Sequence, residues 1–372
     1  MKFSKSAPAI LITSIIVVVA TISIISNIIS HRMAASFEEG TFAMMSEIVQ
    51  SKLREAENKA IASAEIIAAM PDVKRAFAAH DKAALVAATK DAYTIQEEKY
   101  GISQAQFHLA PATSFLRVHN PDRPAEDLSK YRQIVLEVNR TGAIRKGIEV
   151  TTSGIGIFGT LPMTDETGKA TGSFEMALEF GPLLDETKKA YGFEMGLYIE
   201  ESILRDTATS LKAEFYSDQN RVGKFIKFHA THEALMRTLV TSDTINITDE
   251  ATYLREAGDT PYGVLLQPVY NYAGKQIGVL AIAKNFSDTR SADGQAMILQ
   301  ALLGFISVVL LIGIVLMVVR GLLLRPLQAL TARMEAGEST EDLATVSTEV
   351  QQIADYYEQR RPTKGRDTEG AA

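Results

Sequence analysis

Two long runs without a charged side chain stand near opposite ends of this chain, and they limit its architecture more than any other feature. The first, residues 7–29, reads APAILITSIIVVVATISIISNII, and the second, residues 296–319, reads AMILQALLGFISVVLLIGIVLMVV. About 20 apolar residues suffice to cross a bilayer as a helix, which satisfies all its backbone polar groups internally. Both runs are long enough to be transmembrane helices. The first also exceeds the roughly 7–15-residue apolar core of a cleaved signal peptide, and no clear Ala-x-Ala site follows it. Lys2 and Lys5 precede the first run, while Arg320, Arg325 and Arg333 follow the second. Basic residues stay on the cytoplasmic side, so both termini are expected there. His31 and Arg32 are a small contrary signal. Residues from about 30 to 295 are then expected outside the cytoplasm. The absence of cysteine is compatible with that compartment and offers no disulfide framework. The formal net charge of −7, with no basic stripe, argues against a nucleic-acid partner.

Between the runs the chain repeats itself. LPMTDETGKATGSFEMALEF (161–180) and QPVYNYAGKQIGVLAIAKNF (267–286) share Pro, Gly, Lys and Gly at the same internal spacing: Pro162, Gly168, Lys169 and Gly172, then Pro268, Gly274, Lys275 and Gly278. Proline suits a strand end because it has no ladder donor, and glycine suits the turn. Each copy therefore predicts a β-hairpin, and the pair predicts one β-module used twice.

Around the hairpins the pattern predicts an α+β architecture with antiparallel sheets. Apolar residues recur at helical spacing from Ser36 to about Ala88, interrupted at Pro71. Strands are expected at Ser103–Leu109 and Thr113–His119, a helix at about Ala125–Asn139, and strands near Ile144–Val150 and Ile155–Leu161. A smaller second version spans Leu183–Lys284, with helices at 183–190 and near His232–Val240 and a strand at 193–199.

YGISQAQFHL (100–109), FLRVHNP (115–121), GIEVTTSGIGIFGTLPM (147–163) and GSFEMALEF (172–180) resemble the double Cache sensor domain of bacterial chemoreceptors and sensor kinases, with Asp127, Leu128, Tyr131 and Arg132 fitting the helix after FLRVHNP. The resemblance is specific across about 60–180 and topological across 183–290. It implies two stacked PAS-like modules on a long N-terminal stalk helix, with a small-molecule pocket in the membrane-distal one. The chain departs from the pattern at Phe158, where a basic residue is expected before Gly159, and at Ala125 in place of Gly. Past the second run, Arg325-Pro326-Leu327, Leu330 and Met334, then Thr348-Glu349-Val350, Ile353-Ala354 and Tyr357, resemble the two helices of a HAMP linker, although the connector around Gly337 is short for that family. The expected segments are 1–6 cytoplasmic, 7–29 first span, 30–88 stalk and backing helices, 89–182 distal module, 183–295 proximal module, 296–319 second span, 320–361 HAMP-like linker and 362–372 disordered tail.

Candidate ligand contacts follow from alternation on the strand Thr113–His119. Side chains alternate along a strand, so Thr113, Phe115, Arg117 and His119 share a face, opposite Ser114, Leu116 and Val118. Leu116 and Val118 suit packing on a helix, which turns Arg117 and His119 to a pocket. Arginine offers a planar fork for carboxylate, and histidine a donor whose charge depends on pH. Tyr131 and Arg132 on the next helix close over the same space, and Glu149 and Glu175 supply the opposite sign. A bland alternative is that Arg117 pairs with Glu149 or Glu175 and ties the sheet together, while Glu175 and Glu179 form a solvated face. A pocket of both signs suits an amino acid, an organic acid or an amine. His229, His232 and Glu233 have spacing that invites a metal, but a site needs further ligands. No metal, cofactor or enzymatic activity is expected, since no nucleophile elbow, phosphate loop or zinc-hydrolase motif is present.

The resulting expectation is a homodimeric membrane sensor that signals to a cytoplasmic signalling protein or a full-length receptor. The rivals are a truncated chemoreceptor without output and a non-sensing envelope scaffold.

Overall fold

The computed structural model describes residues 3–340 and 348–360. They form two compact units: Ser36–Asp288, and the described parts of Met1–Ala35 and Thr289–Ala372.

Helix α1 (Phe3–Ala68) opens the chain. It ends where Pro71 confines Met70 to an extended conformation, and that proline then occupies the first turn of α2 (Pro71–Ala78). Helix α3 (Lys82–Tyr100) is capped by Asp81, whose Oδ1 accepts from Ala84 N at 3.0 Å. Pro71 opens a new helix, as its place before Asp-Val predicts, and a second break before Lys82, which was not expected, separates α3 from α2.

The first sheet contains β1 (Ile102–Leu109), β2 (Thr113–Arg117), β3 (Glu126–Asp127), β4 (Arg145–Thr151), β5 (Gly154–Thr164) and β6 (Ala170–Glu179), with α4 (Gln133–Thr141) between β3 and β4. Helix α5 (Phe180–Tyr191) leads to the second sheet, built of β7 (Glu194–Glu200), β8 (Arg221–Val222), β9 (Phe225–Ala230), β10 (Ala251–Ala257), β11 (Thr260–Tyr270) and β12 (Gln276–Asn285). Helix α6 (Glu201–Thr207) follows β7, and α7 (Glu233–Leu239) follows β9. The strand orders are β4-β5-β6-β1-β2-β3 and β10-β11-β12-β7-β9-β8, all antiparallel. The predicted α+β class holds.

The two hairpins share their register, their bulge and the bonds that close the turn. Met163 pairs with Gly172 and Val269 with Gly278, each next to a bulge. Asp165 Oδ1 accepts from Lys169 N at 3.0 Å, and Asn271 Oδ1 accepts from Lys275 N at 2.9 Å. Gly168 and Gly274 supply the positive φ of the turn (87° and 76°). The second glycine of each copy has a different role. A Cβ on Gly172 would fall on the His108 carbonyl oxygen, and one on Gly278 on the Tyr198 carbonyl oxygen. The central strands β1 and β7 approach too closely for any side chain there.

One stretch of α1 backs both sheets. Met45, Val49 and Ala56 enter the core of the second module, and Ala60, Ala64 and Ile67 that of the first. Gly159 lets the α1 backbone at Ala60 and Ile61 lie against β5. The modules also touch directly: Tyr272, in the second hairpin turn, donates its N–H to the Ile148 carbonyl at 2.8 Å and packs on Ile134, Val138, Phe158 and Ala177.

In the other unit, the apolar part of α1 and helix α8 (Ser287–Val318) are both long and apolar enough to cross a membrane. Gln300 Nε2 reaches the Ser23 carbonyl at 3.4 Å. Beyond a π-helical stretch come α9 (Arg325–Ala336) and α10 (Thr348–Arg360), where Leu330 and Ala354 are buried together with Met334 beside them. Connector residues 341–347 and the tail 362–372 lie outside the described residues.

Candidate functional site

The modules differ where β2 and β9 give way to a helix. In the second, only Thr231 and His232 separate β9 from α7. In the first, residues 118–132 separate β2 from α4, and this loop carries the two-residue strand β3. A helix was expected to begin at Ala125, but α4 starts at Gln133. One long-range bond and one local bond defeat the helix: Leu128 N bonds the Ala112 carbonyl at 2.8 Å, and Asp127 Oδ1 accepts from Ser129 N at 2.9 Å.

The loop folds over the sheet face formed by Gln104, Gln106, Arg117 and His119, together with Thr151–Ser153, and leaves a polar cavity of about 20 Å³. Arg123, Tyr131 and Arg132 complete its walls. That volume holds about one water. Of the expected ligand contacts, Arg117, His119, Tyr131 and Arg132 meet here. Phe115 does not. Residues Phe107 and His108 of β1 face Leu116 and Ser114 of β2, so Phe115 is the extra residue of a bulge. It packs against Phe77 at 5.7 Å between ring centroids, within the core shared with Leu116 and Val118. The strict alternation that put it beside Arg117 is corrected by that one residue.

Behind the cavity lies a buried charge cluster. Arg132 is 2 % exposed; its Nε donates to Glu149 Oε2 at 2.8 Å, and its Nη1 and Nη2 donate to Glu175 at 2.8 and 2.5 Å. Glu149 also accepts from Ile134 N at 2.9 Å, and Glu175 from Thr160 Oγ1 at 3.2 Å. The guanidinium lies 4.3 Å above the Phe158 ring, the position where a basic residue was expected. Burial raises Glu175, but the Arg132 guanidinium, with His108 and the Thr160 hydroxyl beside it, offsets this and holds the carboxyl below its ordinary value. Burial keeps Glu149 above its ordinary value. The glutamates therefore tie to Arg132 and not to Arg117. Glu175 is buried rather than on a solvated face, while Glu179 is exposed.

His108, Arg123 and Glu126 complete the picture. His108 is fully buried, with Nε2 3.5 Å from Glu175 Oε1 and neither ring nitrogen in a hydrogen bond. Burial pushes it down to about 4, against the pull of Glu175, so it is neutral near pH 7. The period-2 polar series Gln104, Gln106, His108 was the signal that could have found it. Arg117, 4 % exposed, donates to Glu126 Oε2 at 2.8 Å, and Arg123 donates to the same oxygen at 3.2 Å. Burial and then Arg123 lower the Arg117 pKa, and burial lowers that of His119. His119 Nδ1 sits 3.1 Å from the Ala105 carbonyl oxygen and 3.2 Å from the Ala105 nitrogen. In the second module, His229 Nε2 faces Asp185 at 3.1 Å and His232 Nδ1 faces Glu194 at 3.9 Å, so the two histidines look to different partners.

A family model described as the double sensory domain of two-component sensor kinases, a double Cache model, matches residues 46–289. No curated relative matches the chain. Among solved structures, the ligand-binding domain of the Campylobacter jejuni chemoreceptor Tlp3, in complex with 4-methylisoleucine, is 9 % identical, with 71 % of this chain and 93 % of that domain covered at a TM-score of 0.39. The Vibrio cholerae LuxQ periplasmic domain is 8 % identical, with 65 % and 99 % covered at a TM-score of 0.38. The family match takes in both sheets, both hairpins and the loop over the polar cavity, and by it this chain belongs to the double Cache family of sensory domains.

Proposed function

We propose that this chain is a two-pass inner-membrane sensor, not an enzyme, that binds a small solute in the first module on the periplasmic side. One observation carries the reading. The 118–132 loop, which the second module lacks, brings Arg117, His119, Arg123 and Tyr131 to one polar cavity in a domain of a sensory family. Solute binding favours an arrangement with the loop displaced, and shifts the protein only to the extent that affinity differs between arrangements. Tyr272 supports a route to the second module, since it packs on the Phe158 that lies under Arg132. The membrane reading rests on the two apolar helices and the flanking basic residues. A homodimer, with α9 and α10 acting as a HAMP-like relay to a cytoplasmic signalling protein or a full-length receptor, completes the proposal.

The test is thermal stabilisation of the detergent-solubilised chain by amino acids, carboxylates, amines and purines. Sensing predicts that one class raises Tm and that Arg117→Ala or His119→Ala abolishes the rise. A second reading, an envelope scaffold for a protein partner, is favoured by the small cavity and the internal pairing of its charges. Inertness to every solute, with tight recovery of an envelope protein, would select it.

A further inference from the structure

Three donors converge on the carboxylate of Glu126. Oε2 accepts from Arg117 Nη2 at 2.8 Å and Arg123 Nη2 at 3.2 Å, and Oε1 accepts from the Tyr131 hydroxyl at 3.2 Å. Two guanidinium groups thus share one carboxylate, which leaves an excess positive charge at the cavity wall. Arg117 is fixed: it is almost fully buried on β2, and its Nη1 donates to the Pro124 carbonyl at 3.3 Å. Arg123 is steadied by Thr152 Oγ1 at 3.3 Å. Glu126 is the most exposed of the three charged groups. Its side chain is 33 % exposed, and it belongs to a strand of two residues at the sheet edge, paired only through Thr113–Asp127 and Ser114–Glu126.

A planar fork on a rigid strand, a second guanidinium and a phenol form a receptor for a carboxylate. A carboxylate already lies in it, supplied by the chain itself. We propose that Glu126 is a tethered stand-in for a carboxylate solute, and that a free carboxylate enters by displacing it from Arg117, Arg123 and Tyr131, which lifts β3 off the sheet edge. The inference rests on the sensory reading above and deepens it by naming the solute class and the internal competitor. It also accounts for the small cavity, since the stand-in and its loop fill the space that a solute would take.

The test removes the competitor and offers a replacement. Full-length Glu126→Ala protein in detergent is titrated with sodium propionate, with sodium chloride at equal ionic strength as control, and Tm is followed. Propionate should stabilise the variant with a half-saturating concentration at least tenfold below that of the wild type. Arg117→Ala in the Glu126→Ala background should erase the response. Amide exchange at Leu128, whose N–H bonds the Ala112 carbonyl, should quicken in propionate-saturated wild type. Methylamine should act alike on both proteins. If Glu126→Ala responds no better than wild type, while some other solute stabilises wild type through Arg117, the stand-in is refuted and the sensory reading survives. If no solute stabilises either protein, both fall together. Glu126→Gln, which keeps the size and drops the charge, should also bind propionate more tightly than wild type; weaker binding refutes the competitor role.

Discussion

Replacing Arg132 by methionine should be the most destabilising single change at the charge cluster. The guanidinium makes three charged hydrogen bonds, one to Glu149 and two to Glu175, and covers Phe158, all within a site nearly closed to solvent. Methionine fills much of the volume but leaves Glu149 with only the Ile134 N–H and Glu175 with Thr160 and a neutral His108 nearby. Removing one partner of a buried pair costs about 3–5 kcal/mol, because the other charge stays desolvated. For a unit of this size that is roughly 6–20 °C in Tm, read by calorimetry of the Ser36–Asp288 transition. The deficit should depend on pH with a definite sign. Without the guanidinium, burial raises both carboxyl pKa values above their unfolded values. The folded variant then holds protons that the unfolded chain gives up. Its stability is greatest below the unfolded carboxylate range, about pH 4.3, and is lost as pH rises through the folded values. Arg132→Met should therefore lie closer to wild type at pH 5 than at pH 7.5. The triple variant with Glu149→Gln and Glu175→Gln should recover at least half the loss. A deficit of less than about 1 kcal/mol, or one equal at both pH values, would contradict the assignment of Arg132 as the neutralising charge of this cluster.

Other outcomes follow from the same geometry. His108 is held neutral by burial, facing Glu175, Arg132 and Arg117, with its pKa pushed down to about 4. The stability it contributes is present above its unfolded value of about 6.5 and is lost as pH falls toward 4, to a total of about 3 kcal/mol. His108→Gln should flatten the stability profile in that window, and an unchanged slope would refute the role. Gly172→Ala and Gly278→Ala, which drive a Cβ onto a neighbouring carbonyl, should each cost more than Gly168→Ala or Gly274→Ala, where the space is open and only the positive φ is strained, at about 1 kcal/mol. Equal losses in chemical denaturation would show that the close approach of β1 and β7 is not what excludes a side chain.

Much of the architecture was legible because it rests on local chemistry. Uncharged runs mark α8 and the start of α1, and a doubled Pro–Gly-Lys–Gly spacing marks two hairpins that share the side-chain bond from Asp165 or Asn271 to the backbone N–H four residues on. The family resemblance read from FLRVHNP and its neighbouring segments agrees with the family match. What escaped is non-local. The bulge that turns Phe115 inward appears only when β2 is paired to β1, since nothing within TSFLR announces an extra residue. Residues 125–132 carry apolar spacing adequate for a helix, yet an Asx turn and one long-range bond to Ala112 hold them in a loop. Partner choice among charges was equally hidden. Arg117, on a strand, meets Glu126 from the loop, whereas Arg132 reaches across to both buried glutamates. Arg123 and Glu126 stand three residues apart in a polar segment, and only the fold brings them to Arg117.

The duplicated hairpins end in opposite surroundings, and this has a practical meaning for anyone labelling the molecule. The first turn, Glu166 to Lys169, is exposed, while Tyr272 of the second is lodged between β4 and the apolar patch around Phe158. Insertions are tolerated where backbone is solvated and unpartnered, and resisted where it seats a neighbour. An epitope, a fluorophore or a cross-linking thiol at Thr167 would ride on the surface of the first module, and the chain has no native cysteine to compete with it. The same addition in place of Tyr272 would pry at the seam between modules. One copy of the repeat is a handle and the other a dowel.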